Sequence, residues 1–98
     1  MLTHCVFMKT KAHVRPDEVR AVITELGDFA GSLDGVLSFH GGANLDFENK
    51  TPDHPYGFVI QFRDRAALLA YDRIPRHRVL GQRLVDLCVG GAEGIRVY

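Results

Sequence analysis

Eight residues past the middle of the chain, Tyr56-Gly57-Phe58-Val59-Ile60-Gln61-Phe62-Arg63, constrain the fold more than any other stretch. Along an extended strand, successive side chains point to opposite faces. One face then carries Tyr56, Phe58, Ile60 and Phe62, all aromatic or apolar. The other carries Gly57, Val59, Gln61 and Arg63, a mixed set. Such a strand belongs in a sheet with helices packed over one side and something less apolar than a core on the other. Residues 3–10, THCVFMKT, repeat the pattern: His4, Val6 and Met8 share one face, and Cys5, Phe7 and Lys9 share the other. Bulky apolar groups on both faces predict that both are covered.

The remaining elements follow from local signals. Pro16-Asp17-Glu18 opens a helix, with proline pre-setting the first turn and two acids near the positive end of the helix dipole. Val19, Val22, Ile23, Leu26 and Ala30 keep the 3, 4, 7 spacing of an amphipathic face, and Gly31 stops the run. A second strand is expected from Val36 to His40, running into Gly41-Gly42. Residues 43–55 have two prolines, two asparagines and no periodicity, so they form the one long loop. Asp64 can cap a short helix over 65–72, and Pro75 breaks it. A further helix is expected from about residue 76 to Val89, with Val79, Leu80, Leu84, Leu87 and Cys88 on its apolar face, and residues 95–98 form a last strand. The order β-α-β-β-α-α-β is the split-βαβ, α+β ferredoxin-like sandwich, with an extra short helix and a four-stranded antiparallel sheet. Four strands with all helices on one side leave the other sheet face open. With Cys5, Phe7 and Val59 on it, that face suits a partner sheet, the first physical hint of a dimer.

Composition limits the function classes. Ninety-eight residues, within the usual ~100 or more per domain, read as a single domain over 1–98. A chain this short buries roughly 60–65% of its unfolded surface and gains from self-association. Twelve basic and twelve acidic side chains give zero formal charge, which disfavours a partner held chiefly through phosphates. No apolar run approaches the ~18 residues of a membrane span, and the first residues lack the basic start and apolar stretch of a signal peptide. Cys5 and Cys88 lie near opposite ends without CxxC or Cys/His spacing, and read as buried free thiols of a cytoplasmic protein. No histidine spacing resembles a metal site and no glycine-rich loop precedes a helix, so neither metal nor cofactor is expected. Charge is uneven: residues 1–49 hold four basic and seven acidic side chains, and residues 50–98 hold eight and five. Most of the basic excess is Arg73, Arg76, Arg78 and Arg83, around His77.

Several segments together resemble the stress-responsive dimeric α/β-barrel (Dabb) family. They are His4-Cys5-Val6-Phe7-Met8-Lys9; Gly35-Val36-Leu37-Ser38-Phe39 leading to Gly42-Ala43-Asn44-Leu45; Phe58-Val59-Ile60-Gln61-Phe62; and Leu69-Ala70-Tyr71 followed by Pro75-Arg76-His77. The resemblance implies a homodimer in which two four-stranded sheets close into a barrel, with Phe7, Val59 and Gln61 at the interface. It also implies a pocket between sheet and helices. In a plant polyketide cyclase of the family, a tyrosine and a histidine act as an acid–base pair in an intramolecular aldol condensation. Tyr71 and His77 match them by motif, and His4 matches a further pocket histidine. The chemistry suits the residue types: imidazole works as a base near neutral pH, and a phenol can hold or donate a proton to a carbonyl oxygen. On one continuous helix, residues six apart point well away from each other, at ~100° per residue. The break at Pro75 makes convergence available.

Two departures change the implied pocket. Ile74 stands where the family usually has a second histidine before the proline. Pro55-Tyr56 stands where it commonly has Asp-His, with Asp53-His54 displaced upstream. Tyr56 could replace one polar group. The expected pocket therefore has His77 as base, Tyr71 as proton donor or orienting group, and His4, Tyr56, Phe58 and Val6 as liners. Its ligand would be small and apolar or aromatic. Each polar residue also has a purely structural reading: a packed tyrosine, a helix-start histidine, a hydrogen-bonded core histidine.

Two classes compete for the function. One is a small-molecule enzyme or binder working by proton transfer, condensation or isomerisation; the other is a non-catalytic stress-response dimer module. A third class, RNA recognition, shares the strand order. Its third-strand signature, K/R-G-F/Y-G/A-F-V-x-F/Y, is matched by residues 54–61 only in the middle. Stacking on RNA also needs Tyr56 and Phe58 on the open face, and the alternation puts them beneath the helices.

Overall fold

The structure, a computed structural model, describes residues 1–98. β1 (Leu2–Met8) is followed by α1 (Pro16–Gly31), β2 (Val36–Ala43), β3 (Tyr56–Phe62), α2 (Arg65–Arg73), α3 (Pro75–Asp86), a 3-10 turn (Gly91–Gly94) and β4 (Ile95–Val97). The sheet order is β2-β3-β1-β4, with every pairing antiparallel. This is the expected ferredoxin-like arrangement. β1 and β3 pair along their whole length, from Leu2 opposite Phe62 to Met8 opposite Tyr56, and so form the middle of the sheet.

The core lies entirely between the sheet and the helices. Val6, Met8, Phe58, Ile60 and Phe62 from the sheet meet Val19, Val22, Ile23, Leu26 and Ala30 of α1, Tyr71 of α2, and Leu80 and Leu84 of α3. Two glycines let α1 approach β2 closely. A Cβ on Gly27 would stand 2.9 Å from the Phe39 ring, and one on Gly41 would stand 2.7 Å from Ile23 Cγ2. Asp64 caps α2 by accepting a hydrogen bond from the Ala67 amide at 2.9 Å. Glu25 on α1 accepts hydrogen bonds from both Arg76 and Arg83 of α3, tying the two long helices together outside the core.

Four details differ from the sequence reading. α3 ends at Asp86 rather than Val89, because the next residues pair with the chain leaving β1: Lys11 donates to the Leu87 carbonyl, and Val89 donates to that of Lys9. Val79 is 52% exposed, since the buried line of α3 passes through Leu80 and Leu84. A bulge between Val36 and Ser38 resets the register of β2 and leaves Leu37 exposed. Cys88 is fully buried, and burial pushes its thiol up; Cys5, on the open face, is only half-buried. No helix is long and apolar enough to cross a membrane.

The open face carries Phe7 and Val59 with Gln61 between β1 and β2, and Ser38 donates a 3.0 Å hydrogen bond to Gln61. Phe7 is 43% exposed, a large aromatic on the central strand of the sheet that stays partly in water.

Candidate active site

The break between α2 and α3 builds the site. Tyr71 ends the buried face of α2. Ile74 then takes an extended conformation (φ −72°, ψ 130°), and Pro75 starts α3 in a new direction. His77, in the first turn of α3, comes back over Tyr71: the ring centroids lie 4.5 Å apart at 61°, an edge-to-face contact. An unbroken helix would have directed the two rings apart.

Aromatic packing holds the tyrosine in place. Phe62 lies edge-on to it at 5.3 Å, Phe29 packs tilted against it at 5.7 Å, and the residue is only 3% exposed. Burial, reinforced by the nearby Asp72 carboxylate, pushes the Tyr71 phenol up to about 12. At neutral pH it is therefore a proton holder and hydrogen-bond donor rather than a phenolate. His77 is partly exposed, but its Nδ1 is buried without a hydrogen-bond partner; Asp72 Oδ1 stands 3.6 Å away, just beyond bonding distance. An unpaired buried nitrogen costs free energy, and a catalytic role is one of the few physical reasons for a native structure to keep it. His4, on the helix side of β1, approaches Phe62 edge-on at 6.4 Å. Burial is the main cause that lowers its pKa; His77 adds to the effect and Asp72 opposes it. At neutral pH His4 is thus an uncharged imidazole.

These groups share one cavity of about 560 Å³ between the sheet and the helices. His4, Val6, Phe58, Tyr71 and His77 all line it, so five of the six expected pocket residues come together. Tyr56 does not join them. It begins β3, at the opposite end of the strand from Phe62, and lines a second cavity of about 510 Å³ on the open-face side, with Phe7, Val59, His40 and Leu45. Asp72 belongs to the first cavity and was not foreseen from the sequence. Its adjacency to Tyr71 was visible, but the approach to His77 depends on the turn at Ile74. No group of three or more histidine, cysteine, aspartate or glutamate side chains gathers in a way that could hold a metal ion.

Chemically, the arrangement pairs a protonated phenol with an imidazole in ring contact, a carboxylate beside that imidazole, and a neutral histidine across an apolar hollow. That set can shuttle a proton while polarising a carbonyl oxygen.

Comparison with known proteins agrees with this fold. A family model described as the stress responsive A/B barrel domain, Dabb, matches residues 2–90. Among solved structures, a dimeric ferredoxin-like protein of unknown function from Jannaschia sp. CCS1 is 38% identical, with a TM-score of 0.91 over 98% of this chain and 93% of its own. A hydroxynitrile lyase from Passiflora edulis is 17% identical, with a TM-score of 0.82 over 98% of this chain and 87% of its own. A mutant of SnoaB, a cofactor-independent oxygenase from Streptomyces nogalater, is 16% identical, with a TM-score of 0.77 over 98% and 86%. At those last two identities the likeness is one of fold. No curated protein sequence matches the chain.

Proposed function

The chain belongs to the Dabb family of stress responsive A/B barrel domains, and from that premise we propose that it is a homodimeric small-molecule protein whose helix-side cavity performs acid–base chemistry. The observation that carries the reading is the edge-to-face contact of Tyr71 and His77, 4.5 Å apart, on a cavity that His4 also lines. His77 acts as the base and takes a proton from the carbon next to a ligand carbonyl. Tyr71 donates a hydrogen bond to that carbonyl oxygen, where negative charge gathers as the enolate forms. The imidazolium then returns the proton, either to a different carbon in an isomerisation or to the new alkoxide after the enolate carbon attacks a second carbonyl in an aldol condensation. Asp72 stabilises the imidazolium between the two steps, and His4 offers a neutral polar edge. Val6 and Phe58 supply the apolar wall, which favours compact ketone- or aromatic-bearing ligands.

The dimer rests on two supports. The 38%-identical Jannaschia protein is dimeric, and this chain leaves Phe7 43% exposed at the centre of its open face, next to Val59. Two such faces laid together would close a barrel and leave both helix-side cavities accessible from outside.

Solvent-proton exchange tests the chemistry. With aromatic ketones in heavy water, the wild-type protein should speed deuterium incorporation at the carbon beside the carbonyl. His77→Ala and Tyr71→Phe should fold normally by circular dichroism and lose that acceleration. If both variants only lower the melting temperature, and no ketone binds or exchanges on the wild type, the cavity is not a reaction site and the protein is a non-catalytic dimer module.

A further inference from the structure

We infer that the helix-side cavity selects ligands that carry a carboxylate on their apolar, carbonyl-bearing body, with Arg73 and Arg78 holding the carboxylate at the mouth. This rests on the reading of the cavity as a small-molecule site and names what that site prefers.

Four arginines, Arg73, Arg76, Arg78 and Arg83, lie within eleven residues. Arg76 and Arg83 are already neutralised, since both reach the Glu25 carboxylate on α1. Arg73 and Arg78 take part in no ion pair of the chain. These two, and not the neutralised pair, line the cavity. Both are exposed, so they stand at its opening. Arg73 closes α2 and Arg78 lies in the first turn of α3, so the two flank the Ile74–Pro75 break that brings Tyr71 onto His77. Asp72 is the only acid on the cavity wall, and it is drawn to His77 rather than to either guanidinium.

A solvated surface would account for free arginines elsewhere. Arg73, in the last turn of α2, also complements that helix's dipole, whereas the position of Arg78 is left unexplained. α3 opens Pro75-Arg76-His77-Arg78, with no acid in its first turn and no side-chain cap. Basic groups at the positive end of a helix dipole oppose its stability, and broken local rules gather at functional or strained sites. An anion seated between Arg73 and Arg78 reverses that cost. Guanidinium groups present paired N–H donors that match a carboxylate's two oxygens, which makes arginine the fitting residue for this headgroup. Leu26, Leu84, Val85 and Phe58 then receive the apolar remainder, and the carbonyl falls towards Tyr71.

Paired probes of the same shape test this: phenylpropanoate against phenylpropanamide, with phenethyl phosphate as a third, each titrated by calorimetry against the full-length protein. The carboxylate should bind about tenfold more tightly than the amide, the ratio expected from one good charge-assisted contact. Arg73→Gln and Arg78→Gln should each lower that ratio several-fold, and the double variant should abolish it with amide affinity unchanged. Arg76→Gln, whose charge is already paired, should leave the ratio intact. Equal affinity for acid and amide, or a preference that survives in the double variant, would overturn the inference while the cavity reading stands. Tighter binding of the phosphate ester would overturn the carboxylate assignment. If none of the three binds, the cavity reading fails first and the inference with it.

Discussion

The two hollows of this chain share Phe58 and are of similar size, about 560 Å³ on the helix side and 510 Å³ on the open side, yet they are built differently. The helix-side hollow is walled largely by buried core residues, with exposed Arg73 and Arg78 at its mouth, and by groups whose proton affinity burial has shifted, His4 downwards and Tyr71 upwards. The open-side hollow lies under a long loop and against Phe7 and Val59, apolar groups that remain partly in water. Burial changes the proton affinity of a titratable group, and such shifts cluster at functional sites. An uncovered apolar sheet face instead makes association favourable. On the proposed function, one sheet serves chemistry on one side and assembly on the other.

The largest expected effect is that of Val59→Asp on the open face. A carboxylate placed between two sheets costs about 3–5 kcal/mol when it is left unpaired. The mass by light scattering should fall from near twice 10.9 kDa to a single chain, while ligand binding in the helix-side hollow persists. A variant that stays dimeric would show that the open face is not the interface. Leu80→Ala strikes the other side. Leu80 is fully buried in the core, and its truncation should cost about 2–5 kcal/mol in urea denaturation, with the association surface unaltered in the folded protein. Asp64→Ala removes the cap of the helix that holds Tyr71 and should cost about 1 kcal/mol in the same measurement.

The smallest expected effects are the pH slopes, which separate the hollows by titration. His4 has a folded pKa below 6.5, so the unfolded chain binds more protons as pH falls through that value. Its contribution to stability is complete above 6.5 and declines on acidification towards the lowered folded pKa, and His4→Gln should flatten that slope. Tyr71 behaves in the opposite sense. Its folded value of about 12 exceeds the ordinary 10, so its contribution is complete below 10 and is lost as pH rises through 12. Tyr71→Phe should remove this alkaline slope, read from melting temperatures across that range.

Much of this was legible in the chain because periodicity reports burial directly. The alternation of Tyr56 to Arg63 assigned both faces of β3, and the spacing of Val19 to Ala30 identified the buried side of α1. The proximity of Tyr71 and His77 was legible because proline has one local consequence, a broken helix. What stayed hidden depends on distant partners. Only the strand-like pairing with residues 9–11 ends α3 at Asp86. Parity put Tyr56 on the helix side with Phe58, but its place at the start of β3 carries it to the other hollow. The unpaired Nδ1 of His77, 3.6 Å from Asp72, is a matter of tenths of an ångström that no residue spacing records.

The joint at Ile74 has a bearing on how such a centre diversifies. Phenol and imidazole ride on separate levers that pivot about one extended residue, not on a common rod. A change at that fulcrum re-aims one ring relative to the other without replacing either, so new reactivities become reachable by adjusting a hinge pin while the working parts stay as they are.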